Sequence, residues 1–271
     1  MWFGKRKMAE REQFDEALEA FRRGDYATAL RLWEALAAQG SAASQYNLGL
    51  MYANGQGVTQ DDARALDWYR KAADTGLADA EYGLGLMHAN GRAVAKDSAQ
   101  AEACYRKAAD KGHAPAQHAL GSMYDNGEGV PRDGVRASAW YRKAAEQGFA
   151  LAQYDLGLMY AAGRGVPKDS TQAASWYRKA AEQGLPQAQS NLGAAYATGR
   201  GVTKNETKAW MWFRKAADQG LAEAQFNLGM AYANGRGIPR DEEQAAAWYR
   251  EAAAQGIAAA HEHLEAMRRP K

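Results

Sequence analysis

The stretches 42–54 (AASQYNLGLMYAN) and 61–74 (DDARALDWYRKAAD) place apolar or small residues at spacings of three and four. That is the helical period, not the alternation of a half-buried strand, so each predicts a helix of about three to four turns. Between them Gly55-Gln56-Gly57-Val58 is a breaker, because two glycines reach backbone angles closed to other residues. Asp61 stands where a helix N-cap belongs, and Gly76 where the second helix needs its C-terminal cap. The unit read from these residues is a helix hairpin.

The same pattern returns along the chain. Leu-Gly occurs at Leu48-Gly49, Leu84-Gly85, Leu120-Gly121, Leu156-Gly157, Leu192-Gly193 and Leu228-Gly229, always 36 residues apart. Gly76 recurs as Gly112, Gly148, Gly184, Gly220 and Gly256, and Tyr69 as Tyr105, Tyr141, Tyr177, Phe213 and Tyr249. The cap Asp61 returns as Asp97, Asp133, Asp169 and Asp241, with Asn205 in its place once. Unbroken register over six copies predicts an all-α solenoid of stacked hairpins, each drawing its core from its neighbours.

A glycine in mid-helix costs about 1 kcal/mol relative to alanine, so the Leu-Gly column must serve a purpose. Close helix approach is the physical candidate. Gly49 with Ala65, Ala72 and Ala73 lets two helix axes pack tightly, while Leu48, Tyr52, Trp68 and Tyr69 fill the space between layers. The same need accounts for the 61 alanines in 271 residues.

The ends depart from the pattern. Residues 1–9 are expected as a tail, and 10–40 as a divergent capping hairpin whose second helix keeps the register through Ala29 and Gly40. Six full repeats occupy 41–258. Residues 259–271 form a capping helix and tail, where Glu265 replaces the glycine and His261, Glu262 and His263 add polarity.

Charge and composition narrow the function. With 34 Lys plus Arg against 32 Asp plus Glu, the net charge of +2 gives no overall pull toward nucleic acid or anionic lipid. No stretch approaches 18 apolar residues, so no membrane insertion is expected. Cys104, alone, makes no intramolecular disulfide, and a cytoplasmic setting is the expectation, a periplasmic or secreted one requiring a leader absent from this chain.

The run Ala152-Gln153-Tyr154-Asp155-Leu156-Gly157-Leu158-Met159-Tyr160, then Gly163-Arg164-Gly165-Val166, then Ala174-Ser175-Trp176-Tyr177-Arg178-Lys179-Ala180-Ala181-Glu182-Gln183-Gly184, resembles a Sel1-like repeat of the tetratricopeptide-like superfamily. The leading unit is similar to a tetratricopeptide hairpin through Ala17, Phe21, Gly24, Asp25, Tyr26 and Ala29. The resemblance implies a right-handed superhelix with a concave face built mainly by first helices. It implies binding of proteins or peptides as a scaffold, adaptor or regulator, in bacterial regulation or assembly, and no reaction. The competing classes are a hydrolase of β-lactam or cell-wall type and a secreted host-interaction protein. Secreted members of the family carry paired cysteines in their repeats, and this chain has none. A monomer is the expected state.

Chemical signals weigh the same way. The Gly-x-Gly turns lack the strand and spacing of a nucleotide fingerprint, and the five histidines, His88, His113, His118, His261 and His263, fall in unrelated columns. No catalytic residue, metal site or cofactor is predicted. The pairs Arg70-Lys71, Arg106-Lys107, Arg142-Lys143, Arg178-Lys179 and Arg214-Lys215 are each followed by an acid three or four residues on, which reads as a neutralised helix face. A one-sided basic set at the turns, including Arg164, Lys168, Arg200, Lys204 and Arg236, is the rival edge, yet no nucleic-acid partner is expected.

Binding residues are sought in columns that vary while their neighbours stay fixed. Before Leu-Gly these read Asn47, Gly83, Ala119, Asp155, Asn191, Asn227 and, one earlier, Tyr46, Tyr82, His118, Tyr154, Ser190, Phe226. In tetratricopeptide domains the matching position places asparagines in the groove, and the resemblance implies that role for Asn47, Asn191 and Asn227. An amide offers donor and acceptor together. The candidate groove is Tyr46, Asn47, Tyr82, His118, Tyr154, Asp155, Asn191, Phe226 and Asn227. Asn54, Asn90, Asn126 and Asn234 are a candidate extension, with helix-terminating asparagine before glycine the alternative. The aromatic members have an alternative role as core between repeats.

Overall fold

The computed structural model describes residues 2–268. Among them every regular element is helical, and the fifteen α-helices fall into two compact units, Met1–Arg132 and Asp133–Lys271. Unit 1 opens with α1 (Trp2–Arg22), α2 (Tyr26–Ala38), α3 (Ala42–Asn54) and α4 (Asp62–Asp74). It continues with α5 (Ala78–Asn90), α6 (Ser98–Asp110) and α7 (Ala114–Asn126). Unit 2 holds α8 (Gly134–Glu146), α9 (Ala150–Ala162), α10 (Ser170–Glu182) and α11 (Pro186–Thr198). Then come α12 (Glu206–Asp218), α13 (Ala222–Asn234), α14 (Glu242–Ala254) and α15 (Ala258–Arg268). Within each unit every helix packs on the next, giving the all-α solenoid of stacked hairpins that the repeat predicts.

The punctuation works as the residues require. The side chains of Asp61, Asp97, Asp133, Asp169, Asn205 and Asp241 each accept from a backbone N–H of the first turn they cap. First helices end on a left-handed glycine; Gly199, for example, has φ 76° and donates its N–H to Ala195 O. The second glycine of each turn is there for a different reason. A Cβ at Gly201 would run into the backbone carbonyl of Ser170, so the turn lies directly on the start of α10. Ala93 replaces that glycine once and is held at φ 58°.

The Leu-Gly column has a sharper explanation than helix approach alone. A Cβ on Gly49 would come within 2.5 Å of the Tyr69 ring, and one on Gly157 within 2.7 Å of the Tyr177 ring and 3.3 Å of Ala173 O. A Cβ on Gly193 would come within 2.8 Å of the Phe213 ring, and one on Gly229 within 2.7 Å of the Tyr249 ring. Each of these mid-helix glycines is therefore the seat of an aromatic ring from the second helix of its own hairpin. In the first and last of these repeats and in the two between, Leu48, Leu156, Leu192 and Leu228 beside it are fully buried.

A polar ladder crosses the stack beneath these rings. Buried Gln153, Gln189 and Gln225 donate to Ala145 O, Ala181 O and Ala217 O, eight residues back. Their Oε1 atoms accept, each at 2.8 Å, from Gln183, Gln219 and Gln255, whose Nε2 atoms also reach Gly148 O, Gly184 O and Gly220 O. In unit 1 the same two positions are Glu81 and Lys111: Lys111 Nζ lies 2.8 Å from Glu81 Oε1 and 2.8 Å from Gly76 O. One charge pair thus replaces one amide pair in the same register.

Two boundaries differ from the sequence reading. Residues 2–9, expected as a tail, belong to α1, whose later turns bury Ala17 and Ala20 against α2. The closing cap is α15, which starts at Ala258, and residues 269–271 of the expected tail lie outside the described residues.

Two outcomes follow from this packing. Gly157→Leu, which must displace the Tyr177 ring, should lose more than about 3 kcal/mol in urea unfolding, whereas Gly163→Ala, straining only a turn at φ 74°, should lose about 1 kcal/mol; equal losses would remove the ring-seat explanation. Lys111→Met, leaving the buried Glu81 carboxylate unpaired, should lose about 2 kcal/mol, while Glu81→Gln with Lys111→Gln should melt like the parent chain.

Candidate functional site

The aromatic column ahead of Leu-Gly does two things at once. Tyr46 sits on Tyr69, Tyr82 on Tyr105, Tyr154 on Tyr177 and Phe226 on Tyr249, with ring centroids 5.7, 5.6, 6.0 and 5.7 Å apart. These rings continue the stack that begins on the mid-helix glycine, the core role named as their alternative. Burial raises the pKa of the Tyr46, Tyr82 and Tyr154 hydroxyls, and pushes Tyr177 up to about 12. All four column members remain half-buried, so one edge still faces outward.

The amide column separates into two kinds. Asn191 hydrogen-bonds the hydroxyls of Tyr154 and Tyr177, tying α11 to the preceding hairpin. Asn227 has Phe213 where Asn191 has Tyr177, and its amide has no hydrogen-bond partner among the described residues. Asn47 is half-buried in α3, Asp155 half-buried beside Tyr154, and Gly83 occupies the same register, where a Cβ would lie 3.4 Å from the Tyr69 ring. The candidate extension is turned back on its own helices: Asn90 donates to Leu86 O, Asn126 to Ser122 Oγ and Asn234 to Met230 O. Asn54 is exposed at the end of α3.

In the basic pairs on second helices the arginines stitch one repeat to the next and the lysines lie over a ring of their own helix, so the pairs are not simply a neutralised face. Arg106, Arg142 and Arg178 donate to the hydroxyls of Tyr124, Tyr160 and Tyr196 at 2.8, 2.7 and 3.1 Å. Lys71, Lys143, Lys179 and Lys215 lie 3.9–4.5 Å over the Trp68, Trp140, Trp176 and Trp212 rings. The acid three or four residues on is paired with the arginine at Arg214–Asp218, 2.8 Å.

What remains open lies in unit 2, where the amides and the basic turn edge converge. One cavity of about 460 Å³ is lined by Asn191 and Tyr177 together with Lys168 and Arg200. A second, about 410 Å³, is lined by Phe226, Asn227 and Trp210 with Lys204 and Arg236. Ala194 and Thr198 line both, so they form one continuous groove over α9–α13. The groove column and the rival basic edge are two walls of it. In unit 1, His118 lines a smaller cavity of about 200 Å³ with Lys96 and Glu128. Tyr46, Asn47, Tyr82, Tyr154 and Asp155 line none of these cavities.

Sequence reasoning missed Trp210 and the glutamine ladder. Trp210 had a signal, since its register otherwise carries Leu66, Glu102, Ser138, Ala174 and Ala246. The ladder had one too: a glutamine at 45, 117, 153, 189 and 225, on the helix face that should be apolar.

The Sel1 repeat model matches residues 20–41, 42–77, 78–113, 114–149, 150–185, 186–221 and 222–257. This chain belongs to the Sel1 repeat family. The match reaches into the first hairpin through residues 20–41, so the family pattern covers its second helix as well as the six full repeats. A Sel1 repeat protein from Oxalobacter formigenes is 37% identical over 89% of this chain and 99% of its own, with a TM-score of 0.82. A protective antigen present in uropathogenic Escherichia coli strains is 35% identical over 97% of this chain, with a TM-score of 0.85. The Sel1 chain spans 57% of that antigen's length. Comparison with curated proteins finds no match. Sel1 repeat proteins are in general protein–protein interaction scaffolds, and the solenoid is typically non-catalytic.

Other chemistry in the Sel1 chain is sparse. Cys104 is half-buried in the tryptophan column, and burial raises its thiol pKa. Among the described residues no three His, Cys, Asp or Glu side chains gather to hold a metal, and no helix is long and apolar enough to cross a membrane.

His113 joins two repeats of the Sel1 chain. Its Nδ1 accepts from Ala116 N at 3.2 Å, its Nε2 lies 3.5 Å from Asp79 Oδ1, and its ring lies tilted against Tyr82 with centroids 4.9 Å apart. Burial lowers its pKa below 6.5 against the opposing pull of Asp79. The unfolded chain therefore binds the proton more readily, and this contribution to stability is present at neutral pH and lost as pH falls below about 6.5. Urea midpoints should drop between about pH 7 and 5, and His113→Asn, which keeps the cap, should flatten that dependence; an unchanged slope would show that His113 does not set it.

Proposed function

We propose that this Sel1 repeat chain is an interaction scaffold that holds a segment of another protein in the groove of unit 2, in a regulatory or assembly role in the bacterial cytoplasm. The observation that carries the reading is the pair of adjoining cavities, about 460 and 410 Å³, the first lined by Asn191 with Lys168 and Arg200 and the second by Asn227 with Lys204 and Arg236. Amides suit an extended backbone, because they donate to its carbonyls and accept from its N–H groups. The family supplies the class of partner, a protein.

Asn191 has a second role in this reading. Its hydrogen bonds to Tyr154 and Tyr177 fix the wall of the first cavity, so Asn191→Ala loosens the fold by about 1 kcal/mol as well as the site. Asn227→Ala touches no such bond and is the cleaner probe.

A photo-crosslinking residue at Ala194, exposed and shared by both cavities, should capture a protein partner in cells, and the same residue at exposed Ser175 on α10 should not. Asn227→Ala should weaken the Ala194 crosslink about tenfold, or about 1.4 kcal/mol, with the melting temperature unchanged. Capture only from Ser175, or capture indifferent to Asn227, would move the binding surface out of the groove.

A further inference from the structure

Repeats that build one groove need not build it of one material, and the two cavities differ in a directed way. Lys168, Arg200 and Asn191 of the first are repeated 36 residues on as Lys204, Arg236 and Asn227 of the second. The apolar wall is not repeated. Ala174 and Ala194 give way to Trp210 and Met230, and Phe226 adds a ring at a position whose counterpart, Ser190, does not line the first cavity. The second cavity therefore keeps the cations and the amide, adds a large apolar surface, and carries Glu206 where the first has Ser170, a carboxylate that is taken up by Lys204 at 3.2 Å.

Nothing in the packing of the repeat asks for that tryptophan. Its register is otherwise filled by leucine, glutamate, serine or alanine, and its indole Nε1–H is buried without an acceptor. Asn227 is likewise without a partner, although its counterpart Asn191 is held by two tyrosines. The Trp210 indole N–H is kept buried without a partner against the usual rule that such groups are paired, and the half-buried Asn227 amide beside it is left available to a ligand.

The charges point one way. In the turn column Arg92 is bound to Asp62 and Ala53 O, and position 128 is a glutamate. Arg200, Arg236 and Lys168 form no ion pair with a carboxylate among the described residues, and only Lys204 has one, Glu206 at 3.2 Å. Three uncompensated cations thus edge a groove whose far end is aromatic.

Resting on the scaffold reading above, we propose that the groove takes an acidic protein segment anchored by one bulky apolar side chain. The anchor enters the cavity of Trp210, Phe226 and Met230. Carboxylates beside it meet Lys168, Arg200 and Arg236, and the Asn227 amide holds the backbone between them. Charge supplies steering and sign selectivity, and the enclosed apolar side chain supplies most of the residence time.

The test is selection of random dodecapeptides displayed on phage against the intact chain, followed by fluorescence polarisation of the enriched peptides. The expected consensus joins two or more Asp or Glu to one Trp, Phe, Tyr or Leu, and replacing either the acids or the anchor should weaken binding at least about tenfold. Trp210→Ala should erase the preference for the anchor, and Arg200→Ala with Arg236→Ala the preference for acids, each with a melting curve like the parent's. Basic or uncharged peptides that lose affinity in these variants would overturn the proposed chemistry and leave the groove standing. Peptides indifferent to all three substitutions would overturn the groove as well. Failure to enrich any consensus, or preferential binding of single-stranded nucleic acid, would overturn the proposal.

Discussion

An aromatic ring seated on a glycine is the contact on which the rest of the Sel1 chain depends. Tyr69 over Gly49, Tyr177 over Gly157, Phe213 over Gly193 and Tyr249 over Gly229 are the same contact made again in register. Glycine in mid-helix weakens the helix that bears it, and the ring offsets this by burying its face where any side chain would collide. The alanines follow from it. With the ring set against the glycine, the neighbouring positions Ala65, Ala173, Ala209 and Ala245 are buried with little or no exposure, and a larger residue would lift the ring from its seat.

Polar groups then tie the hairpins together. The Gln153–Gln183, Gln189–Gln219 and Gln225–Gln255 pairs satisfy each other and a backbone carbonyl inside the stack, and Arg142–Tyr160 and Arg178–Tyr196 do so near its surface. Such bonds give modest net stability but are costly to leave half made, so they fix how one repeat sits on the next. Glu81 with Lys111 shows that the register is what matters, since a charge pair serves where an amide pair otherwise does. With cohesion held in these columns, the columns at the groove are released from packing. The columns of Trp210, Phe226 and Met230 vary where those of Leu228 and Gly229 do not.

The candidate site was legible to the extent that its residues escape packing. Asn227, Phe226 and Asn191 were found as members of variable columns, and they line the groove. Tyr46, Tyr82 and Tyr154 belong to the same columns but are drawn into the ring stack, because a neighbouring tyrosine offers them a face. Sequence treated the basic turn edge as a rival surface. The turn that carries Arg200 folds back over the start of α10, and Arg200 and Asn191 line one cavity. Spacing along the chain holds no trace of that.

By itself the sequence determined the helices, their caps and the 36-residue register, because those rest on local chemistry: apolar period, the Asp61 column of caps, and glycines able to adopt left-handed backbone. Membership of the family follows from the same residues. Only the tertiary structure decided which glycine receives which ring, which amide is engaged and which is free, and that Arg106, Arg142 and Arg178 reach across to a tyrosine in the next repeat. The reason is geometric. A repeat fixes what each position is, while a partner 18 or 30 residues away is chosen by how one hairpin is set upon another, and that setting is made by all the contacts at once.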